Sequence, residues 1–149
     1  MRVSVIGGGR VSDEEAATAE RVGRELADRG HEVVCGGLGG VMAAACRGAS
    51  EAGGHTIGIL PTERRADASD YVDTPIATGM GNARNVLVVM NGDAVVAVDG
   101  GTGTLSELGH ALDLGKPVAG IGTHGVDGVE GIDHVETPAE AVDSVERRV

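Results

Sequence analysis

The stretch that decides the fold is Val95 to Leu108, VVAVDGGTGTLSEL, entered from Asp93 and Ala94. An apolar run ends at Asp99, glycines and threonines alternate from Gly100 to Thr104, and an amphipathic segment opens with Glu107 in its first turns. That order predicts a strand, a tight turn and a helix N-terminus. A helix start presents unpaired backbone N–H groups and the positive end of its dipole, and glycines let an anion approach the main chain, so the natural guest is a phosphate. Gly100, Gly101, Thr102, Gly103 and Thr104 are therefore expected to bind it. A carboxylate at Glu107 would repel that phosphate, which assigns Glu107 to another part of the ligand.

Working outward, the same punctuation recurs. Met1 to Ile6 is rich in Val and Ile and stops at Gly7-Gly8-Gly9, a buried strand running into a loop. Ser12 with Glu15 three residues on makes a capping box, and Ala16, Ala19, Val22, Leu26 and Ala27 form the apolar face of a helix that Gly30 ends. Glu32 to Cys35 is a short strand, Gly36 to Gly40 a loop, Val41 to Ala52 a helix of small residues, and Thr56 to Leu60 a third strand stopped by Pro61. Thr62 to Asp73 is polar and aperiodic, a surface loop; Val72 to Ala77 adds a short strand. Gly79 to Asn91 is expected as a helix, Ala94 to Val98 as a strand, Thr104 to Leu114 as a helix and Pro117 to Ile121 as a strand. After a glycine-rich mobile loop from Gly122 to Asp133, an edge strand over Asp133 to Glu136 and a last helix from Pro138 to Arg147, capped by Thr137, complete the pattern.

Strands alternating with helices, each strand nearly all apolar, specify an α/β doubly wound, mostly parallel sheet flanked by helices. In such sheets ligands sit beyond the carboxyl ends of the strands, where the strand order reverses. Three glycine loops fall on that rim, so Gly8 and Gly9 of the first and Gly37, Gly39 and Gly40 of the second join Gly100 to Thr104 as expected phosphate-binding residues. The first loop lacks the GxGxxG spacing, and no acid closes the second strand, which disfavours a full NAD cofactor.

Composition narrows the function further. At 149 residues the chain is expected to form a single domain, with a core built from Val, Ile, Leu, Ala and Met because it has one Tyr and no Phe or Trp. Acids outnumber bases 23 to 12, for a net charge of -11, and Lys116 is the only lysine. Such acid-rich, lysine-poor chains resemble proteins of salt-loving organisms. The charge also excludes nucleic acid as a partner, since its backbone needs a basic stripe and its bases need aromatic platforms. Cys35 and Cys46 have no metal-like spacing, and His31, His55, His110, His124 and His134 show no paired metal spacing, so no metal site is expected and the thiols are read as packed and reduced. The N-terminal apolar run is too short for a signal peptide and no segment reaches membrane-span length, so a cytoplasmic protein without a membrane partner is expected.

At larger scale the segments CGGLGGVMAAACRGASEAGGHTIGILP (Cys35 to Pro61), GMGNARNVLVVMNGDAVVAVDGGTGTLSEL (Gly79 to Leu108) and GKPV (Gly115 to Val118) resemble the Lonely Guy family. Its relatives include the molybdenum cofactor carrier proteins and short proteins once labelled lysine decarboxylases. The resemblance covers most of residues 1 to 121. It implies a Rossmann-like subunit, usually a dimer or tetramer, that binds a phosphorylated small molecule without a cofactor. The family's enzymes hydrolyse the N-glycosidic bond of nucleoside 5′-monophosphates. Their signature, Pro-Gly-Gly-x-Gly-Thr-x-x-Glu with an Arg-Lys pair on the preceding helix, maps onto Gly100, Gly101, Gly103, Thr104 and Glu107, with Arg84 as the arginine. Asp99 stands where the family has Pro, and Asn85 where it has Lys.

The implied catalytic pair is Glu107 and Arg84. Glycosidic cleavage builds positive charge on the ribose, which a carboxylate at Glu107 would stabilise while activating water. Arg84 would either hold Glu107 ionised or pair with phosphate. Asp99 either caps the glycine turn or serves as a second carboxylate. Asn82 and Asn85 either touch base and sugar or lie on an ordinary polar helix face, and Met42 is read as core packing. The alternative function is a non-catalytic carrier of molybdenum cofactor or another phosphorylated pterin. Lysine decarboxylation is rejected, because a pyridoxal phosphate enzyme needs a Schiff-base lysine and Lys116 lies at a strand start, away from the rim. Specificity is assigned to the loop Thr62 to Asp73 and to neighbouring subunits, with Val86, Leu87, Val89 and Met90 as the candidate contact surface.

Overall fold

The structure, a computed structural model, describes residues 1–149. Seven strands, β1 (Arg2–Gly7), β2 (Glu32–Cys35), β3 (Thr56–Leu60), β4 (Thr74–Ala77), β5 (Ala94–Val98), β6 (Val118–Ile121) and β7 (Ile132–His134), form one sheet in the order β4-β3-β2-β1-β5-β6-β7. Every neighbouring pair is parallel. The chain winds outward from β1 to β4, returns to the other side of β1 as β5, and winds outward again. The reversal therefore falls between β1 and β5, where Gly7 faces Val98 at the two carboxyl ends. The loops that follow these strands emerge side by side.

Five helices cover the sheet: α1 (Asp13–Asp28), α2 (Val41–Glu51), α3 (Asn85–Met90), α4 (Thr102–Asp113) and α5 (Pro138–Glu146). Helices α1, α2 and α5 bury one face around Val3, Val5, Val33, Val96 and Ala119, while α3 and α4 cover the other around Ile6, Val34, Ile59, Val95 and Ala97. Neighbouring residues of one strand thus serve opposite cores. Both faces being covered, β3 and β5 are buried along their whole length, which explains their unbroken apolar runs. The expected capping box forms at α1: the Glu15 N–H donates to Ser12 Oγ, and the Ser12 N–H donates to the Glu15 carboxylate. Thr137 and Glu140 cap α5 in the same way.

Three boundaries depart from the sequence expectation. The segment from Gly79 to Asn91 is not one helix: Gly79 and Gly81 adopt φ of 64° and 58°, outside the right-handed region, and their N–H groups donate to Thr62 and Pro61 carbonyls. A 3₁₀ turn over Gly81–Arg84 follows, and α3 keeps only six residues. Helix α4 begins at Thr102 rather than Thr104, because Gly101 is its N-cap and the Leu105 N–H already donates to the Gly101 carbonyl. The edge strand starts at Ile132, whose side chain packs against the core under α3 and α4 and sets the register Val118 to Ile132. Of the expected contact surface, Val89 is buried against the sheet, Val86 and Leu87 are half-buried, and Met90 is exposed. No helix is long and apolar enough to cross a membrane.

Candidate functional site

The reversal point builds one polar cavity of about 350 Å³, walled by Gly7 to Gly9 after β1, Leu38 and Met42 around the start of α2, Asn82, Arg84 and Asn85 ahead of and in α3, and Gly101 to Thr104 with Glu107 on α4. Three loops far apart in sequence meet because the sheet topology aims their strands at one place.

The floor is the start of α4. No protein acceptor takes the N–H groups of Gly101, Thr102, Gly103 or Thr104, and no side chain caps this helix. Four unpaired donors at the positive end of a helix dipole make an anion site. The turn into it needs Gly100, whose φ is 122° and where a Cβ would stand 2.3 Å from Thr104 Oγ1. Thr104 is accordingly buried against that glycine, and Thr102 is exposed at the mouth. The second loop contributes by proximity: a Cβ on Gly40 would stand 2.1 Å from the Gly8 carbonyl oxygen, which accepts the Val41 N–H. Gly40 therefore locks α2 onto the first loop.

One turn into α4, Glu107 faces the same cavity. Its residue is 7% exposed, yet the carboxyl makes no ion pair or hydrogen bond with the protein. Burial pushes its pKa up to about 7, against the opposing pull of the Arg84 charge. A carboxyl that titrates near neutrality is suited to exchange protons with a ligand.

Arg84 is equally buried, and its side chain spans the carboxyl ends of two strands. Nε donates to the Ile59 carbonyl at 2.7 Å, Nη2 to the Gly36 carbonyl at 3.2 Å, and Nη1 to Asn85 Oδ1. Burial lowers its pKa, while Glu107 and Cys35 act in the other direction. No Arg84–Glu107 pair forms within ion-pair distance, so Arg84 acts on Glu107 through the field and not through contact. Of its five N–H donors three are committed, which leaves one on each terminal nitrogen for a ligand.

The structure brings together Gly8, Gly9, Asn82, Arg84, Gly101, Thr102, Gly103, Thr104 and Glu107. It does not place Gly37, Gly39, Gly40, Gly100 or Asp99 on the cavity wall. Gly37 accepts the Ser69 N–H and packs on Gly58, and Gly40 and Gly100 shape the turns behind the wall. Asp99 lines another cavity, with its Oδ2 still 3.9 Å from where a Cβ on Gly8 would stand. Its N–H donates to the Ile121 carbonyl, its carbonyl accepts from Thr123 Oγ1, and its side chain lines a different cavity with Ser12, Glu14, Glu15 and Thr18. Its φ of 50° is closed to proline, so this chain enters the glycine turn by a backbone route that a Pro at this position cannot take.

The structure adds contacts that the sequence does not show. Met42 packs on the core and also walls the cavity. Asn85 links Arg84 to α4: its Nδ2 donates to Ser106 Oγ at 3.3 Å, and Ser106 Oγ donates to the Gly103 carbonyl at 2.6 Å. His124, from the loop after β6, meets the Gly101 carbonyl through Nε2 at 2.9 Å. No spacing signal announces these, because each depends on which loop lies beside which. Lys116 Nζ donates to the Gly92 carbonyl, at the opposite end of β5 from the cavity.

A doubly wound α/β domain whose glycine loops converge on a buried Arg and an unpaired Glu is a recognisable class. The chain belongs to the SLOG cluster4 family, whose model matches residues 1–148. It is similar to the molybdenum cofactor binding protein of Rippkaea orientalis, with a TM-score of 0.91 at 33% identity over 99% of this chain and 96% of that one. The molybdenum cofactor carrier protein of Chlamydomonas reinhardtii superposes with a TM-score of 0.87 at 34% identity, over 98% and 96% of the two chains. The cytokinin riboside 5′-monophosphate phosphoribohydrolase LOG of Oryza sativa subsp. japonica is 31% identical over 80% of this chain and 52% of its own length. The chain thus spans about half the length of that plant enzyme.

Proposed function

We propose that this protein binds a phosphorylated, nucleotide-like ligand at the reversal point and hydrolyses the N-glycosidic bond of nucleoside 5′-monophosphates. The observation that carries the proposal is the Glu107 carboxyl: buried, unpaired, raised to about 7, and in one cavity with four unpaired amides. The phosphate rests on the N–H groups of Gly101 to Thr104, and the ribose lies toward the second turn of α4, beside Glu107. As the bond from C1′ to the base nitrogen breaks, its electron pair leaves on the base and positive charge builds on the sugar. Ionised Glu107 stabilises that charge and takes a proton from the water that adds to C1′, then returns it to the departing base. The spare donors of Arg84 orient the ligand.

A second function is favoured by one specific observation, the near-complete mutual coverage with the molybdenum cofactor proteins. In it the same amides hold a phosphorylated pterin without turnover. Incubation with AMP and the other nucleoside 5′-monophosphates, followed by chromatography for free base, separates the two. Base release from any of them supports the hydrolase; release from none, together with tight binding of a phosphorylated pterin, overturns it in favour of the carrier.

The protein works as a homo-oligomer through the face of α3 and α4. Met90 at the end of α3 and Leu105 on α4 leave 49% and 40% of their surface exposed, and light scattering reads the mass directly. Cytoplasmic residence is supported by two free buried thiols, Cys35 and Cys46, with their sulfurs 3.4 Å apart.

A further inference from the structure

A second cavity, of about 480 Å³, lies on the other side of Gly9, which walls both. Its character is unlike the rest of the surface. In a chain with 23 acids and 12 bases, its lining holds Arg10 and Arg47 and no carboxylate. Arg10 is exposed and makes no ion pair or hydrogen bond with the protein. Arg47 is clamped by Glu20 through Nε and Nη2, which leaves Nη1 free. Tyr71, the only aromatic residue of the chain, stands at this rim with 40% of its surface exposed instead of in the core. Its backbone is pinned, since the Tyr71 carbonyl accepts from Thr56 Oγ1 at 2.6 Å. Val11, Ala16, Ala43 and Ala44 supply a small-residue apolar floor.

An exposed aromatic ring beside small apolar side chains suits a planar ring, and an uncommitted guanidinium in the same cavity suits a phosphate. Gly9 is shared by the walls of both cavities, and nothing lies within 4 Å of where its Cβ would stand, so the space beside it is open. We propose that this second cavity takes the distal half of a pyrophosphate-linked dinucleotide. One phosphate lies on the amides of α4, the other passes over Gly9 to Arg10, and the second ring lies on Tyr71. This is not the dinucleotide grip that the first loop lacks, because the second phosphate is held by a side chain and not by that loop. The proposal rests on the phosphate role of the first cavity.

The test is calorimetric titration of the whole protein with AMP and with diadenosine pyrophosphate at one ionic strength. The dinucleotide is expected to bind about tenfold or more tightly than AMP. Arg10→Ala and Tyr71→Ala each bring its affinity to within about threefold of AMP and leave AMP binding unchanged, while Tyr71→Phe keeps the difference. Arg10 and the Tyr71 ring contribute no hydrogen bond to the fold, so thermal melts of these variants should match the parent. Equal affinity for the two ligands, or an Arg10→Ala loss shared equally by AMP, overturns the second cavity and spares the first. Failure of AMP itself to bind removes the first cavity's role, and this proposal with it.

Discussion

Two cavities flank the carboxyl end of β5, and they have opposite chemistry. On one side stand the unpaired amides of Gly101 to Thr104, the buried guanidinium of Arg84 and one carboxyl, Glu107, which burial drives toward its neutral form. On the other, about 290 Å³ of space is lined by Ser12, Glu14, Glu15, Thr18 and Asp99, with no cation. Both adjoin a helix start, yet the capping side chains differ. Ser12 and Glu15 already close a capping box at α1, whose first turn carries Asp13, Glu14 and Glu15, so that side repels an anion, whereas α4 begins at Gly101 with no side chain to cap it. What separates a ligand site from a helix start here is the absence of a side-chain cap, together with backbone donors left open by glycine.

The largest expected effect tests the donor-rich side. Glu107→Gln keeps the size of the side chain and removes its charge and proton exchange. Base release from the preferred nucleoside monophosphate should fall by about 10²- to 10⁴-fold. Binding of inorganic phosphate should stay the same or tighten, because a negative charge near the amides is gone. Unchanged turnover in the variant would remove Glu107 from the chemistry.

The next effect is on stability and its sign is fixed. Glu107 titrates near 7 in the folded protein and at an ordinary carboxyl's 4.5 when unfolded, so the folded state binds the extra proton. Stability from this group is fully present below pH 4.5 and is lost as pH rises through 7, by about 3 kcal/mol in all. Urea unfolding of parent and Glu107→Gln across pH 4 to 8 should give curves that diverge over that window, with the variant the more stable at its upper end. Parallel curves would mean that Glu107 is solvated in the folded protein.

Much of this contrast is legible in the sequence. Alternating apolar runs and glycine stops set out the doubly wound sheet, since the central strands are buried on both faces and read as plain hydrophobic blocks. Glu107, Arg84 and the amides of Gly101 to Thr104 followed from one local motif and a family resemblance. Asp99 did not. One residue separates it from the cradle glycines in sequence, but its positive φ and its ties to Ile121 and Thr123 put it on the wall of the neighbouring cavity. Gly79 and Gly81 misled for the same reason, because a helical pattern of apolar residues carries no record of backbone φ. His124 and the Arg10–Tyr71 cavity depend on contacts between distant loops, which periodicity cannot express.

The smallest expected effect is the sharpest test of the two-sided arrangement. Asn tolerates the left-handed region at least as well as Asp, so Asp99→Asn keeps the φ of 50° and both backbone hydrogen bonds while deleting one charge from the acidic cavity. If β5 truly divides the two cavities, stability should move by less than about 0.5 kcal/mol and turnover by less than about twofold. A partial charge acting through the wall would raise phosphate affinity only slightly, and added salt would erase the gain. A loss of turnover approaching that of Glu107→Gln would put the Asp99 carboxylate at the ribose and merge the two sides into one site. Asp99→Pro supplies the matching control, since it forbids the observed φ and deletes the N–H that donates to Ile121. It should cost about 3 kcal/mol in urea unfolding, and an unperturbed Asp99→Asn beside it would locate the importance of this residue in its backbone.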